Sequence, residues 1–127
     1  MNIRIIPASW TPYLLALLRI VTGLLFLEHG ASKLFNFPVP GPADLPYGLL
    51  LFTGLMETVG GALITTGFLT RPVAFVLSGY MAAAYFIAHL PRGFFPVVNQ
   101  GEGAILFCFV FLYLAVAGAG ALAIDKD

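Results

Sequence analysis

Charge is what this chain most lacks. Only 9% of its 127 residues are Asp, Glu, Lys or Arg, where a soluble domain carries about a quarter. The net charge is zero, which leaves no basic stripe for nucleic acid and no acidic tail for a basic partner, so nucleic-acid binding is set aside. Cysteine occurs once, as Cys108 in an apolar run. That excludes an intrachain disulfide, a CxxC dithiol relay and a cysteine zinc site, and any redox chemistry would need a borrowed cofactor. There is no low-complexity tract, and no repeat beyond an alternation of two helical hairpins.

Apolar residues are abundant instead, at 60% of the chain. Each helical crossing of a bilayer takes about 20 of them, which gives room for about four spans, short connections and no separate soluble domain. The expected fold is a single all-α domain over residues 1–127, an integral membrane four-helix bundle with helices near 11–35, 47–68, 72–90 and 101–124. The run from Tyr13 to Leu27 contains Arg19 and leads into Glu28-His29 without a small-residue cleavage site, so it reads as a permanent first helix.

Punctuation sets the boundaries. Trp10 and Tyr13 suit a membrane interface, and Pro38, Pro40, Pro42 and Pro46 impose a stiff extended connection. Gly67 to Pro72 reads as a tight turn, with glycine at a helix C-cap and proline in the next first turn, pairing helices two and three as a hairpin. Asn99 with Glu102 has the spacing of a helix cap answered by an N3 carboxylate. Small residues four apart (Ser78/Ala82, Gly79/Ala83, Ala84/Ala88, Ala115/Ala119/Ala123) allow close helix approach, within one chain or in a homo-oligomer. Arg4, Arg71 and Lys126 against Lys33 and Arg92 give a slight preference for cytoplasmic termini.

A charge at the bilayer centre costs roughly 2.5 to 3.5 kcal/mol on insertion scales, so the ionisable groups on these spans are expected to face inward or snorkel. A rise of about 1.5 Å per residue sorts them into two layers. Arg19 and Glu57 come out about 10 and 15 Å from the terminal face, and predict an ion pair that holds the helices together. Gly60-Gly61 would let a neighbouring helix or a ligand approach that carboxylate. Glu28, His29, His89 and Glu102 fall at about 24 to 30 Å, with Lys33 slightly further out, and predict a polar pocket near the loop-bearing face. On helix one, Arg19, His29 and Lys33 share an arc of about 80°, while Glu28 points about 180° from Arg19 and needs another partner.

Plainer readings stand beside these. A carboxylate in a first helical turn, as Glu102 would be, is favoured by the helix dipole without any chemistry. His29 and His89 at similar depth raise haem or metal ligation. No spacing signature supports either, and histidines that hydrogen-bond locally or pass protons fit better. Cys108 reads as a small apolar filler.

Taken together these positions resemble the DoxX family of small four-helix membrane proteins, over nearly the whole chain. The resemblance is carried by Arg19 with Gly23, His29-Gly30 with Lys33, Glu57 with Gly60, and Gly67-Phe68-Leu69-Thr70-Arg71. It continues through His89, Asn99-Gln100-Gly101-Glu102, Gly118, Gly120 and Asp125. It implies a bacterial or archaeal cytoplasmic (inner) membrane protein tied to soluble redox enzymes. Relatives include a subunit of thiosulfate:quinone oxidoreductase and a membrane anchor for a superoxide dismutase and sulfurtransferase-like complex. This chain has no soluble module, so it would supply at most the membrane part.

Three functions follow as expectations. The first is a membrane subunit of an oxidoreductase-linked system with a pocket for a quinone or similar apolar redox molecule. His29, Lys33 or His89 would donate to the ring carbonyls, Arg19 and Glu57 would form the inner end, and Glu28 and Glu102 would line the mouth. The second is a passive anchor or assembly factor. The third is a proton-coupled exporter of small hydrophobic compounds, with Glu57 or Glu28 exchanging the proton.

Overall fold

The computed structural model describes residues 1–126 and is all-helical. After a 3-10 turn at Ala8–Trp10, helix α1 spans Thr11–Phe35, α2 Tyr47–Thr66 and α3 Thr70–Ala84. Helix α3 runs on through a π-helical stretch, Tyr85–His89, and a 3-10 turn, Leu90–Arg92. A short α4, Pro96–Asn99, precedes α5, Glu102–Ala117. Three helical rods, Ala8–Phe35, Tyr47–Thr66 and Thr70–Arg92, are long and apolar enough to cross a membrane, and α5 is a shorter apolar helix. The chain is therefore a helical membrane bundle.

Each boundary has a local cause. Helix α1 stops where Asn36 turns left-handed (φ 55°) and returns its N–H to Ser32, one residue before the proline-rich connection. Helix α2 ends two residues earlier than the sequence predicts, in a Schellman motif: Gly67 (φ 69°) donates to Ile64 O and Phe68 to Leu63 O. Regular α3 ends at Ala84 rather than 90, because Pro91 has no N–H and its ring would clash with the carbonyl four residues back. The wider π turn and a 3-10 turn absorb that mismatch.

Packing is by pairs. Helix α1 lies along α2 and α3 along α5, while α2 and α3, though joined by the tight turn, touch far less. The α1–α2 seam is built on glycines seven residues apart on both helices, Gly23 and Gly30 against Gly54 and Gly61. A Cβ at Gly23 would stand 2.6 Å from Thr65 N, and one at Gly61 would stand 2.6 Å from Leu27 N. The backbones are thus nearly in contact, the arrangement small residues permit in lipid. The two pairs meet through Phe26, Ile64, Ala74, Leu77, Phe111 and Leu114, all buried. On the α3–α5 seam Ser78 donates to Cys108 O at 2.8 Å.

Helix α5 departs most from expectation, ending at Ala117 instead of 124. Residues 118–126 leave the helix through Gly118 (φ 85°) and Gly120 (φ 73°) and lie across the terminal end of the bundle. Ala121 donates to Pro12 O, Ile124 to Thr66 O and Asp125 to Gly67 O. A helix spends its carbonyls on itself, and only unwound backbone can offer them to another group. That group is Arg19.

Candidate functional site

Glu57 sits on α2 roughly midway through the bundle and is 6% exposed. Three helices supply its surroundings. Lys33, near the end of α1, turns its stem inward and places Nζ 2.7 Å from Oε2. Tyr80 of α3 donates its hydroxyl to the same oxygen at 2.6 Å, with its ring edge-on to Phe26 at 6.1 Å. The other oxygen, Oε1, is buried and has no hydrogen-bond partner among the described residues. One face of the carboxylate is therefore saturated by a cation and a phenol, while the other retains its full acceptor capacity.

The ion pair predicted between Arg19 and Glu57 is replaced by Lys33–Glu57, the one ion pair found among the described residues outside the contacts of Arg71. Depth counting missed this because it places Cα atoms, and a lysine stem of four methylenes reaches well into the next layer. Tyr80 was missed as well. Counted from the start of α3 it lies about 15 Å in, the same height as Glu57, so matching depth was the available signal.

Beside this cluster, on the loop-bearing face, is a cleft of about 350 Å³. Glu28, His29, Ser32 and Lys33 form its α1 wall, and the segment from Pro38 to Pro42 folds back over them. Lys33 thus belongs both to the cleft wall and to the buried pair. Glu28 and His29 are exposed. His29 bonds through Nδ1 to Leu25 O at 2.8 Å and packs edge-on to Phe107, the local hydrogen bonding expected of it.

His89 and Glu102 do not line this cleft. His89 bonds through Nδ1 to Asn99 O at 3.1 Å and stacks on Tyr85. Asn99 is fully buried and ties the second loop into a knot: Nδ2 donates to Gly93 O and Tyr85 Oη, and Oδ1 accepts from Gly101 N. The predicted cap between Asn99 and Glu102 is corrected accordingly. Gly101 is the N-cap, and Glu102 begins α5 as an exposed first-turn carboxylate. Between α2 and α3 lies an apolar groove of about 510 Å³, lined by Phe52, Met56, Val59, Gly60, Val73 and Leu77 among others.

The second polar layer lies at the terminal end. Arg19 is completely buried and makes no ion pair with a carboxylate among the described residues. Its Nη1 donates to Ala119 O at 2.7 Å and its Nη2 to Leu122 O at 2.8 Å, with a longer contact to Ala121 O. Asp125 then accepts the Leu69 and Thr70 N–H groups, each at 2.8 Å, and so caps α3 from the far end of the chain. Burial raises the Asp125 pKa, but the hydrogen bonds from Thr70 and Leu69 and the field of Arg19 outweigh it, and the net shift is downward. Arg71 crosses to Val116 O at the end of α5.

Residues 14–90 match the family model described as DoxX. An uncharacterized protein of Haemophilus influenzae is 43% identical over 105 residues, which is 78% of this chain and 78% of the relative. No solved structure matches.

Proposed function

The chain belongs to the DoxX family, and on that premise we propose that it is the membrane subunit of an oxidoreductase-linked system. Its site for a quinone or similar apolar redox molecule is placed at Glu57, Lys33 and Tyr80. The observation that carries the proposal is the orphaned Oε1 of Glu57, a buried acceptor beside two donors. Buried polar atoms in native proteins are nearly always paired, and an unpaired one in a cleft-bearing layer invites a ligand donor.

The residues present fit such a group. A quinone ring needs apolar walls with few polar contacts, and its reduced form carries two hydroxyls. Met56, Gly60 and Leu77 line the apolar groove between α2 and α3, the helices that carry Glu57 and Tyr80. Glu57 Oε1 would accept from a ligand hydroxyl, while Lys33 fixes the carboxylate and Tyr80 holds its second oxygen. When bound, the quinone would supply two-electron, two-proton chemistry that no side chain of this protein can. The carboxylate would hold or release the proton at Oε1. By the slight charge bias, the termini would be cytoplasmic and the cleft would face the other side of the bacterial inner membrane.

The test is thermal unfolding in nanodiscs with a short-chain benzoquinone and a short-chain naphthoquinone. A ligand at 100 times its Kd stabilises by about 2.7 kcal/mol, so a saturating rise in midpoint is expected for the wild type. Glu57→Gln and Tyr80→Phe should weaken the midpoint titration at least tenfold. No shift with either quinone class removes this reading and leaves the passive anchor and the proton-coupled exporter.

A further inference from the structure

We infer that the cleft beneath the proline-rich connection is a one-sided aqueous port to Glu57, so that this carboxylate exchanges protons with the loop-bearing face and not with the terminal face. Lys33 is common to the cleft wall and the buried pair: its Nζ bonds Glu57 Oε2, and its side chain borders the same space as Glu28, His29 and Ser32. The cavity of about 350 Å³ is far above the volume one water occupies, about 30 Å³, and its α1 wall, with Glu28, His29, Ser32 and Lys33, supplies several partners to hold a chain of them.

In the other direction the way is shut. On α1, Phe26 lies seven residues from Lys33 and seven from Arg19, on the same side of the helix. It meets Ile64, Leu77 and Phe111 in a core whose members are no more than 2% exposed. The members of this cluster carry no polar group. Of the buried hydroxyls beside it among the described residues, Thr22 and Ser78, the latter is committed to Cys108 O, so the cluster itself neither orders water nor passes a proton between Glu57 and Arg19. The α1–α2 seam offers no bypass either, because Gly23 and Gly61 bring the two backbones into near contact.

The groups facing Glu57 are few. Helix α1 presents Lys33, with Glu28 and His29 beyond it in the cleft, and α3 presents Tyr80. On α5 the thiol of Cys108 is turned to Ser78. A proton reaching Oε1 therefore comes past Lys33, and the lysine acts as a positioning residue at the inner end of the port. The cleft carries a carboxylate, an imidazole and an ammonium where water enters, and the α2–α3 groove, with apolar lining, is a separate opening towards lipid.

A membrane-impermeant cationic carbodiimide tests this on the wild-type protein in sealed vesicles, with modification of Asp44 in the proline-rich connection marking the loop-bearing face. The reagent adds to the protonated Glu57 carboxyl to give an O-acylisourea. Neutral Lys33 Nζ attacks the carbonyl carbon, the acyl C–O bond breaks, and the urea departs with that oxygen. The protein loses one water, and an amide joins α1 to α2. Peptide mass spectrometry should find the Lys33–Glu57 cross-link at least tenfold faster with reagent on the loop-bearing face, and absent in E57Q. Equal or faster linking from the terminal face overturns the inference. So does linking that needs a lipid-soluble carbodiimide, or no linking with either reagent. The inference stands whatever molecule occupies the site, and because the cross-link is read without quinone, its failure leaves the midpoint titration untouched.

Discussion

Replacing Lys33 by methionine keeps the stem and deletes the ammonium, which leaves Glu57 buried with only the Tyr80 hydroxyl on Oε2. At the observed 2.7 Å, Coulomb's law with an effective dielectric of about 20 gives a gross attraction of roughly 6 kcal/mol. Desolvation of both groups offsets a large part of it, and breaking one partner of a buried pair costs about 3 to 5 kcal/mol. K33M is therefore expected to lose about that much, and E57Q a comparable amount. A K33M/E57Q double variant, freed of the stranded charge, should lose no more than either single variant, a coupling of at least about 3 kcal/mol. The assay is a double-mutant cycle on unfolding in mixed micelles, with an R19M/E57Q cycle beside it. Arg19 bonds a different segment and shares no partner with Glu57, so that second cycle should add within about 0.5 kcal/mol. Strong coupling of Arg19 to Glu57, or none of Lys33 to Glu57, would refute the reasoning.

Three further outcomes are expected. Gly23→Val forces a side chain into the Thr65 backbone 2.6 Å away and should cost at least the 1 to 3 kcal/mol typical of overpacking. Gly79→Ala meets nothing within 4 Å and should gain up to about 1 kcal/mol of helix propensity; circular dichroism melts of the two variants separate these. The folded-state pKa of Asp125 is depressed, so its contribution is complete above the unfolded value of about 3.9 and is lost as pH falls through the lower folded value. Melts between pH 2 and 7 should show that acid-side loss in the wild type and much less of it in Asp125→Asn. A stop codon at Ala119 strips Arg19 of its carbonyl acceptors and should prevent stable folding, while adding Arg19→Met should restore an appreciable folded fraction, read as a monodisperse peak in size-exclusion chromatography.

Much of the bundle was legible because its punctuation is local. The bounds of α1 follow from an apolar run closed by Asn36 and the prolines, and Gly67 marks the turn as a left-handed glycine does. What escaped depends on partners distant in sequence. A search for small residues four apart overlooks Gly23/Gly30 against Gly54/Gly61, where the repeat is seven and lies on two helices. Glu57 and Lys33 were singled out separately, yet pairing them needs the reach of a side chain and not the height of a Cα. The final segment looked helical by composition, and only the need of a buried guanidinium for free carbonyls explains why Gly118 and Gly120 break it. Asn99 reads as a cap from its neighbours, but its buried amide is committed to Gly93 and Tyr85.

The clasp on Arg19 also sets an order of events in biogenesis. Its acceptors lie 100 to 103 residues downstream, and at synthesis rates of about 5 to 20 residues per second they emerge on the order of 5 to 20 s after the arginine does. For that interval the first helix carries a guanidinium with none of its final partners, a burden that would reach roughly 2.5 to 3.5 kcal/mol at the bilayer centre and is smaller at the depth of Arg19. The carbonyls that follow α5 thus relieve a strain present since α1 was made, and α1 settles into its mature position only after α5 and the segment beyond it have emerged.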